Sequence, residues 1–270
     1  MAMLEDCGVA GRFRSTVLHY LVGRPPYAGL LIQRVAAMAG LGPDDRVLDL
    51  GCGPGQLARA FAPLAGEVVA MDPEPEMLRV AAEASAGVDA ISFAGGGSAD
   101  LPAGLGRFRL VVMGRSFHWM DRAATLRVLD GMIEPGGAAA LFHTAHAAVP
   151  DNAWVARYNA VRRRYAEDDP DQPRHTAEAW VRHEAILLDS PFCRLEACSV
   201  FERRTVPAVS LIDRALSMGS TSRDRLGEKV EALVGELAAL TAVVAVDGHL
   251  TEVIESIALI GRRPDDGSRL

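Results

Sequence analysis

The chain has 270 residues, with 35 acidic against 28 basic side chains and a formal charge of -7. Hydrophobic residues at 49% and charged residues at 23% exclude general disorder, and the acidic balance excludes a broadly basic nucleic-acid surface. No run of 18 apolar residues is present to span a membrane as a helix.

Aromatic residues are only 6% while glycine reaches 26, so an aliphatic, alanine-lined core with many turns is expected. Glu5 and Asp6 precede any apolar stretch, which argues against a secretory leader. Cys7, Cys52, Cys193 and Cys198 have neither CxxC spacing nor a dense disulfide pattern, so a reduced, cytoplasmic protein with no metal site is expected.

In chain order, Arg24-Pro25-Pro26-Tyr27 reads as a turn before a helix that starts near Leu30 and ends at Gly40–Asp45. Arg46–Leu50 is a short apolar strand, Pro54–Phe61 a helix, Glu67–Met71 a strand, and Pro75–Ala84 a helix spaced by Met77, Leu78 and Ala81. Strands follow at Asp89–Phe93 and Phe108–Met113, then a helix over Asp121–Met132, a Gly136-Gly137 turn, and a strand over Ala138–Phe142. Strands separated by helices at these intervals imply right-handed crossovers and a mostly parallel sheet covered on both faces.

The alternation stops after His143. Residues 147–195 hold Arg162-Arg163-Arg164, the acidic Glu167–Asp171 and a helix around Thr176–Leu187, and read as a helical cap inserted into the sheet. The opposing charged runs read as solvated faces, or as attractors for an acidic or a cationic substrate. Strands over Leu195–Val206 and Val253–Arg262 flank a helix over Arg223–Leu240. One domain is expected over 1–270, with a ligand-binding core at 20–146, the cap at 147–195 and the rest of the core sheet at 196–262. Residues 263–268 are expected to fray.

The richest segment is Val47-Leu48-Asp49-Leu50-Gly51-Cys52-Gly53-Pro54-Gly55. Three alternating glycines after an apolar strand let the backbone turn sharply and approach a ligand, although such a turn can be purely structural. A dinucleotide fingerprint would place glycine at position 56, where this chain has Gln56. Asp49 suits a positively charged ligand group better than a pyrophosphate. Asp72 ends the next strand, where a carboxylate can accept two ribose hydroxyls or cap the helix that follows.

These segments occur in order with Val68-Val69-Ala70-Met71-Asp72, Gly97-Ser98-Ala99-Asp100-Leu101-Pro102, Ser116-Phe117-His118-Trp119-Met120-Asp121 and Leu129–Gly137. In this the chain resembles the class I, seven-strand, S-adenosylmethionine-dependent methyltransferases of small-molecule type, the methyltransferase domain 11 kind. The resemblance is strongest over 20–143 and poorest across the cap. It implies a Rossmann-like, doubly wound α/β sheet of order 3-2-1-4-5-7-6 with an antiparallel last strand.

The resemblance also implies donor contacts. Asp49 and the loop of Gly51, Cys52, Gly53 and Gly55 would surround the amino-acid portion of S-adenosyl-L-methionine, and Asp72 its ribose. Pro73 and Met77 would line the adenosine side, Ser98, Ala99 and Asp100 the adenine, and Gly114 and Arg115 would touch the donor through backbone groups. The product would be S-adenosyl-L-homocysteine.

An oxygen or nitrogen acceptor needs proton removal, which suits histidine near neutral pH. His118 and His143 are the candidate bases; Tyr20, Tyr27, His118, Trp119 and His146 are candidate acceptor contacts, each with a packing role as the alternative. A bacterial enzyme of metabolism or natural-product synthesis follows from the resemblance, monomeric or homodimeric, with no nucleic acid or membrane as partner. Carbon methylation, a donor-binding regulatory or scaffold protein, and a nucleotide oxidoreductase are the competing readings.

Overall fold

The computed structural model describes residues 16–167 and 180–264. Seven strands form one sheet in the order β3-β2-β1-β4-β5-β7-β6. They are β1 (Arg46–Leu50), β2 (Glu67–Asp72), β3 (Ile91–Gly95), β4 (Phe108–Gly114), β5 (Ile133–His146), β6 (Arg194–Pro207) and β7 (His249–Arg262). The first five run parallel. At one end of β7, Arg263 reaches the Ile133 carbonyl; at the other, the Ala147 N–H donates to the Val253 carbonyl, so β7 runs antiparallel to β5. The expected order and the reversed last strand are what the chain adopts.

The residues fall into two compact units. A sheet unit takes Tyr27–Thr144, Val181–Val200 and Ser256–Leu270, and a helical unit takes Met1–Pro26, Ala145–Trp180 and Phe201–Glu255. The stretch 147–195, read from sequence as one insertion, is divided between them.

In the sheet unit the central strands are apolar on both faces, as parallel strands covered by helices must be. Side chains alternate along each strand. Leu110 and Val112 of β4 pack with Val47, Ala138 and Ala140 beneath α2 (Gly29–Ala39) and α3 (Gln56–Phe61). Val111 and Met113 pack with Leu48, Leu50 and Ala139 beneath α5 (Arg122–Met132). The alanines of β5 supply the expected small-residue lining. The Asp121 carboxylate caps α5 by accepting the Ala124 N–H at 2.9 Å. The helix α4 (Pro75–Ala84) has its expected limits, and α7 (His183–Leu188) lies within the stretch read as the cap. Of the expected helix at Thr176–Leu187, residues 176–179 lie outside the described residues, as do Cys7, Asp168–Asp171 and 265–268.

Several boundaries move for physical reasons. The helix α3 starts at Gln56 rather than Pro54, because Gly55 holds a left-handed conformation at φ +74°. The strand β3 starts at Ile91 instead of Asp89. The strand β5 is longer than expected and admits Pro135-Gly136-Gly137 at a register shift, so His143 and His146 lie within it instead of following it.

The helical unit contains α1 (Val17–Gly23), α6 (Val155–Tyr165), α8 (Ser210–Leu216), α9 (Arg223–Leu226) and α10 (Val230–Val244). The single helix expected over Arg223–Leu240 is broken at Gly227, which has φ +51°. Trp154, Tyr158, Leu211, Leu216, Leu233, Leu237 and Leu250 form its core. Beside it Arg214 makes a two-point ion pair with Glu252, at 2.7 and 3.2 Å, while His146 Nε2 lies 3.2 Å from Arg214 and 3.3 Å from Glu252. Burial pushes the Glu252 pKa up, but the hydrogen bonds with His146 and Arg214 and the Arg214 charge overcome it and hold it at about 2.

Removing one partner of such a pair leaves a buried charge behind. Glu252→Ala is expected to lower stability by about 3–5 kcal/mol, read from urea unfolding at neutral pH. The contribution of the depressed carboxyl is present above the unfolded-state pKa near 4.5 and is lost as pH falls toward 2. The difference between wild type and variant is therefore expected to shrink in acid.

Candidate functional site

The loops at the carboxyl ends of β1, β2, β3 and β4 converge on one edge of the sheet unit, the edge where open α/β sheets bind ligands. The Gly51–Gly55 loop is held from two sides. The Gly51 and Cys52 N–H groups both donate to the Met71 carbonyl, at 2.8 and 3.0 Å, and the Gly55 N–H donates to the Cys52 carbonyl at 3.0 Å. The Gly53 N–H donates to Asp72 Oδ2 at 2.8 Å. At Gly51, φ is +71° and an added Cβ would lie 2.6 Å from Ser116 Cβ; at Gly53, φ is +52° and the space above is open. The first glycine therefore serves packing, and the second leaves backbone exposed to a ligand.

Asp49, on β1, is 1% exposed. Its Oδ2 accepts the Ala58 N–H at 2.9 Å, satisfying a first-turn donor of α3 that Gly55 has no side chain to cap. Burial raises its pKa to about 7; the Ala58 hydrogen bond opposes this, the Asp72 charge adds to it and Arg59 opposes it. Asp72 is 8% exposed and accepts the Gly53 and Glu74 N–H groups, one on each oxygen. Burial raises its pKa too, against those two hydrogen bonds. Two buried carboxylates thus flank open backbone, and the chemistry favoured there is that of a cation with hydroxyl donors. Burial, reinforced by both carboxylates, also pushes the Cys52 thiol up.

The other expected donor contacts surround this pair. Pro73 is exposed and stands 3.7 Å from the position a Gly97 Cβ would take; Met77 is buried on α4. Ser98, Ala99 and Asp100 form a short turn, closed by the Gly97 N–H donating to Asp100 Oδ2 at 2.7 Å. Gly114 ends β4, where an added Cβ would strike Leu57 at 2.7 Å. The Arg115 N–H donates to the Phe142 carbonyl at 2.9 Å, which leaves that group unavailable to a ligand.

Sequence reasoning passed over three side chains of this edge. Gln56 Oε1 accepts from Arg115 Nη2 at 2.6 Å, and the Arg115 guanidinium lies 4.8 Å over the Tyr27 ring. Ser116 Oγ donates to the Leu50 carbonyl at 2.8 Å, and Arg59 Nη1 donates to the Pro54 carbonyl at 2.7 Å. Their one sequence signal is adjacency to the loops they close.

The pairing of Gly114 with Phe142 sets the histidines. His143 is one residue beyond that rung and exposed, and His118 is four residues beyond it, half-buried, with its ring 4.9 Å from that of Trp119. Tyr27 is at the same edge, its hydroxyl donating to the Phe142 carbonyl at 3.5 Å. Tyr20 and His146 belong to the helical unit: Tyr20 lies under Arg24, and His146 joins the Arg214–Glu252 pair. Among the described residues no cluster of histidine, cysteine or carboxylate could hold a metal, and no helix is long and apolar enough to cross a membrane.

Residues 47–137 match the family model described as a methyltransferase domain. An uncharacterized methyltransferase of Mycobacterium tuberculosis is 33% identical over 125 residues, 46% of this chain and 49% of that protein. The malonyl-[acyl-carrier protein] O-methyltransferase of Pseudescherichia vulneris is 34% identical over 113 residues, 41% of this chain and 44% of that one. The chain thus spans about half the length of the curated relatives it matches. A provisionally assigned type II methyltransferase from Anaeromyxobacter dehalogenans superposes with a TM-score of 0.64 at 20% identity, over 89% of this chain and 97% of that one. The fold is that of class I, Rossmann-like methyltransferases.

With a folded pKa near 7 against an ordinary 3.8, Asp49 keeps a proton across that window that the unfolded chain has released. Its contribution to stability therefore falls as pH rises from about 4 to 7, by at most about 1.4 kcal/mol per pH unit. Asp49→Asn keeps an acceptor for Ala58 and lacks the titration. Urea midpoints at pH 5 and pH 8 are expected to show the variant gaining on wild type at the higher pH.

Proposed function

We propose that this chain, with its class I methyltransferase fold, transfers a methyl group from S-adenosyl-L-methionine to an oxygen or nitrogen of a small molecule. The observation that carries this reading is the hydrogen bonding of the glycine loop. A pyrophosphate cradle aims its N–H groups outward at the ligand. Here the Gly51, Cys52, Gly53 and Gly55 N–H groups all bond inward, Pro54 has none, and two buried carboxylates replace the anion. That arrangement rejects a dinucleotide phosphate and suits a donor with cationic centres and a ribose diol.

Bound at this edge, the donor would supply an electrophilic methyl on a sulfonium centre. Asp72, anchored by Gly53 and Glu74, keeps lone pairs for the ribose hydroxyls. A cationic group bound beside Asp49 favours loss of the proton that burial holds there and is stabilised by the resulting charge, and the open face above Gly53 admits the ligand backbone-close. Pro73, Met77, Ser98, Ala99 and Asp100 line the adenosine side. His118 or His143 takes the acceptor's proton at a ring nitrogen, and Tyr27 and Trp119 help exclude water, so that alignment supplies most of the acceleration. Tyr20 and His146 are assigned to acceptor selection. That the Pseudescherichia vulneris relative is an O-methyltransferase supports an oxygen acceptor. The setting proposed is bacterial metabolism or natural-product synthesis in the cytoplasm.

Calorimetry with S-adenosyl-L-homocysteine and with reduced nicotinamide dinucleotide tests the donor. Binding of the first and not the second is expected; the reverse would sink the reading. Asp72→Asn removes a charge-assisted acceptor and should weaken S-adenosyl-L-homocysteine roughly tenfold or more, about 1.5–3 kcal/mol. Gly53→Ala has room for its methyl within the protein, so it should fold with a cost of about 1–2 kcal/mol from its positive φ and still lose donor affinity. Mass spectrometry of a cell extract incubated with labelled donor then reports the acceptor.

A further inference from the structure

After α10 the chain makes a tight hairpin before β7. Val246 and His249 exchange backbone hydrogen bonds at 2.9 Å in both directions, and between them Asp247 and Gly248 have φ +48° and +72°. Positive φ at both central residues marks the two-residue turn that matches strand twist. Residues directly opposite in such a pair send their side chains to the same face.

Val246 and His249 border a cavity of about 400 Å³ that lies within the helical unit. That volume is in the lower part of the range for small-molecule sites. Val244 and Leu250 continue its apolar wall, and Val246, 76% exposed, carries that wall to solvent. Trp154 adds a buried aromatic surface, steadied by near-perpendicular contacts with the rings of His146 and Tyr158 at 5.3 and 5.9 Å.

The polar groups of the cavity are mainly acceptors. The Trp154 Nε1–H is spent on the Thr251 carbonyl at 3.1 Å. His249 Nδ1 lies 2.8 Å from the Asp247 carbonyl, which can only accept, so Nδ1 holds a hydrogen and Nε2 of the neutral ring keeps its lone pair. Asp151 brings a carboxylate, and the Thr205 and Thr251 hydroxyls take either role. Arg203 Nε meets Asp151 Oδ2 at 2.8 Å, but Arg203 is 73% exposed, and a surface pair of this kind is weak enough to yield to a ligand. Apolar walls, a carboxylate and an imidazole lone pair are together complementary to an ammonium on a hydrocarbon stem. An anion would meet the Asp151 charge head-on.

We propose that this cavity binds a small organic amine, its ammonium at Asp151 and His249 and its apolar body against Trp154, Val244 and Leu250. Binding there does not depend on the methyl transfer proposed above.

Titration calorimetry of the full chain at low ionic strength and pH 8, with 2-phenylethylamine, 2-phenylethanol and phenylacetate, tests the site. The amine is expected to bind about tenfold or more tighter than the alcohol, and phenylacetate weaker than either. Asp151→Asn removes the charge and keeps the shape, so it should weaken the amine about tenfold and leave the alcohol within about twofold. Arg203→Gln removes the competing cation and should bind the amine at least as tightly as wild type. Asp72→Asn, in the sheet unit, should leave the amine within about twofold of wild type. Failure of wild type to bind the amine, equal binding of amine and alcohol, or a loss in Asp72→Asn in place of Asp151→Asn overturns the proposal. If Asp151→Asn fails to fold, Val246→Trp decides, because it fills the cavity from an exposed position. Loss of amine binding in that variant supports the site, and unchanged affinity overturns it.

Discussion

The site depends on two carboxylates that the fold withdraws from water without giving either a strong cationic partner. Asp49 sits inside the sheet and caps the helix after the glycine loop; Asp72 ends the neighbouring strand and pins the loop's centre. Each is steadied by backbone N–H groups, and the weak counter-charge of Arg59 does not prevent the Asp49 pKa from rising to about 7. A buried carboxylate in that state is costly, and natural folds keep such groups where a ligand or a reaction uses them. The same two groups orient the loop, so the loop's shape and the cationic ligand proposed for it have one origin.

The second constraint is register. Parallel pairing of β1 with β2 and β4, and of β4 with β5, brings Leu50, Asp72, Gly114 and Phe142 to one edge. Residues distant in sequence meet there: Arg115 bonds Gln56 and covers Tyr27, and Ser116 ties the loop after β4 to Leu50. These contacts make the loops after β1 and β4 into one body. A positive φ of 58° at Arg115, a side-chain-bearing residue, shows backbone strain held in place by them.

Much of this was legible in the residues. The parallel core was, because strands buried on both faces read as continuous apolar runs; Arg46–Leu50 and Glu67–Asp72 are such runs, bounded by glycine and proline. The glycine loop and Asp72 were, because their chemistry is local. The partners Gln56, Arg59 and Ser116 were not, since each acts on a backbone or side-chain group that only the sheet brings near. His146 reads like any histidine at a strand end, and the Arg214–Glu252 pair that holds it is set by residues 68 and 106 positions away. The helix α6 escaped notice because it has few apolar residues and ends in three arginines, and α8 because seven residues give barely two turns of pattern. The strand β5 was shortened by its Pro-Gly-Gly, a sequence that breaks most strands and here sits at a register shift.

Cys52 sits among these groups, a sulfur nucleophile in the middle of a loop assigned to a methylating agent. Thiolates are the reactive form of cysteine, and burial together with the Asp49 and Asp72 charges keeps this one protonated, with its Sγ donating to the Gly53 carbonyl at 3.3 Å. The burial and negative field proposed to favour a cationic donor thus also hold the nearby thiol in its unreactive form. In the function proposed above, a thiol held in this form does not compete with the acceptor for the methyl group.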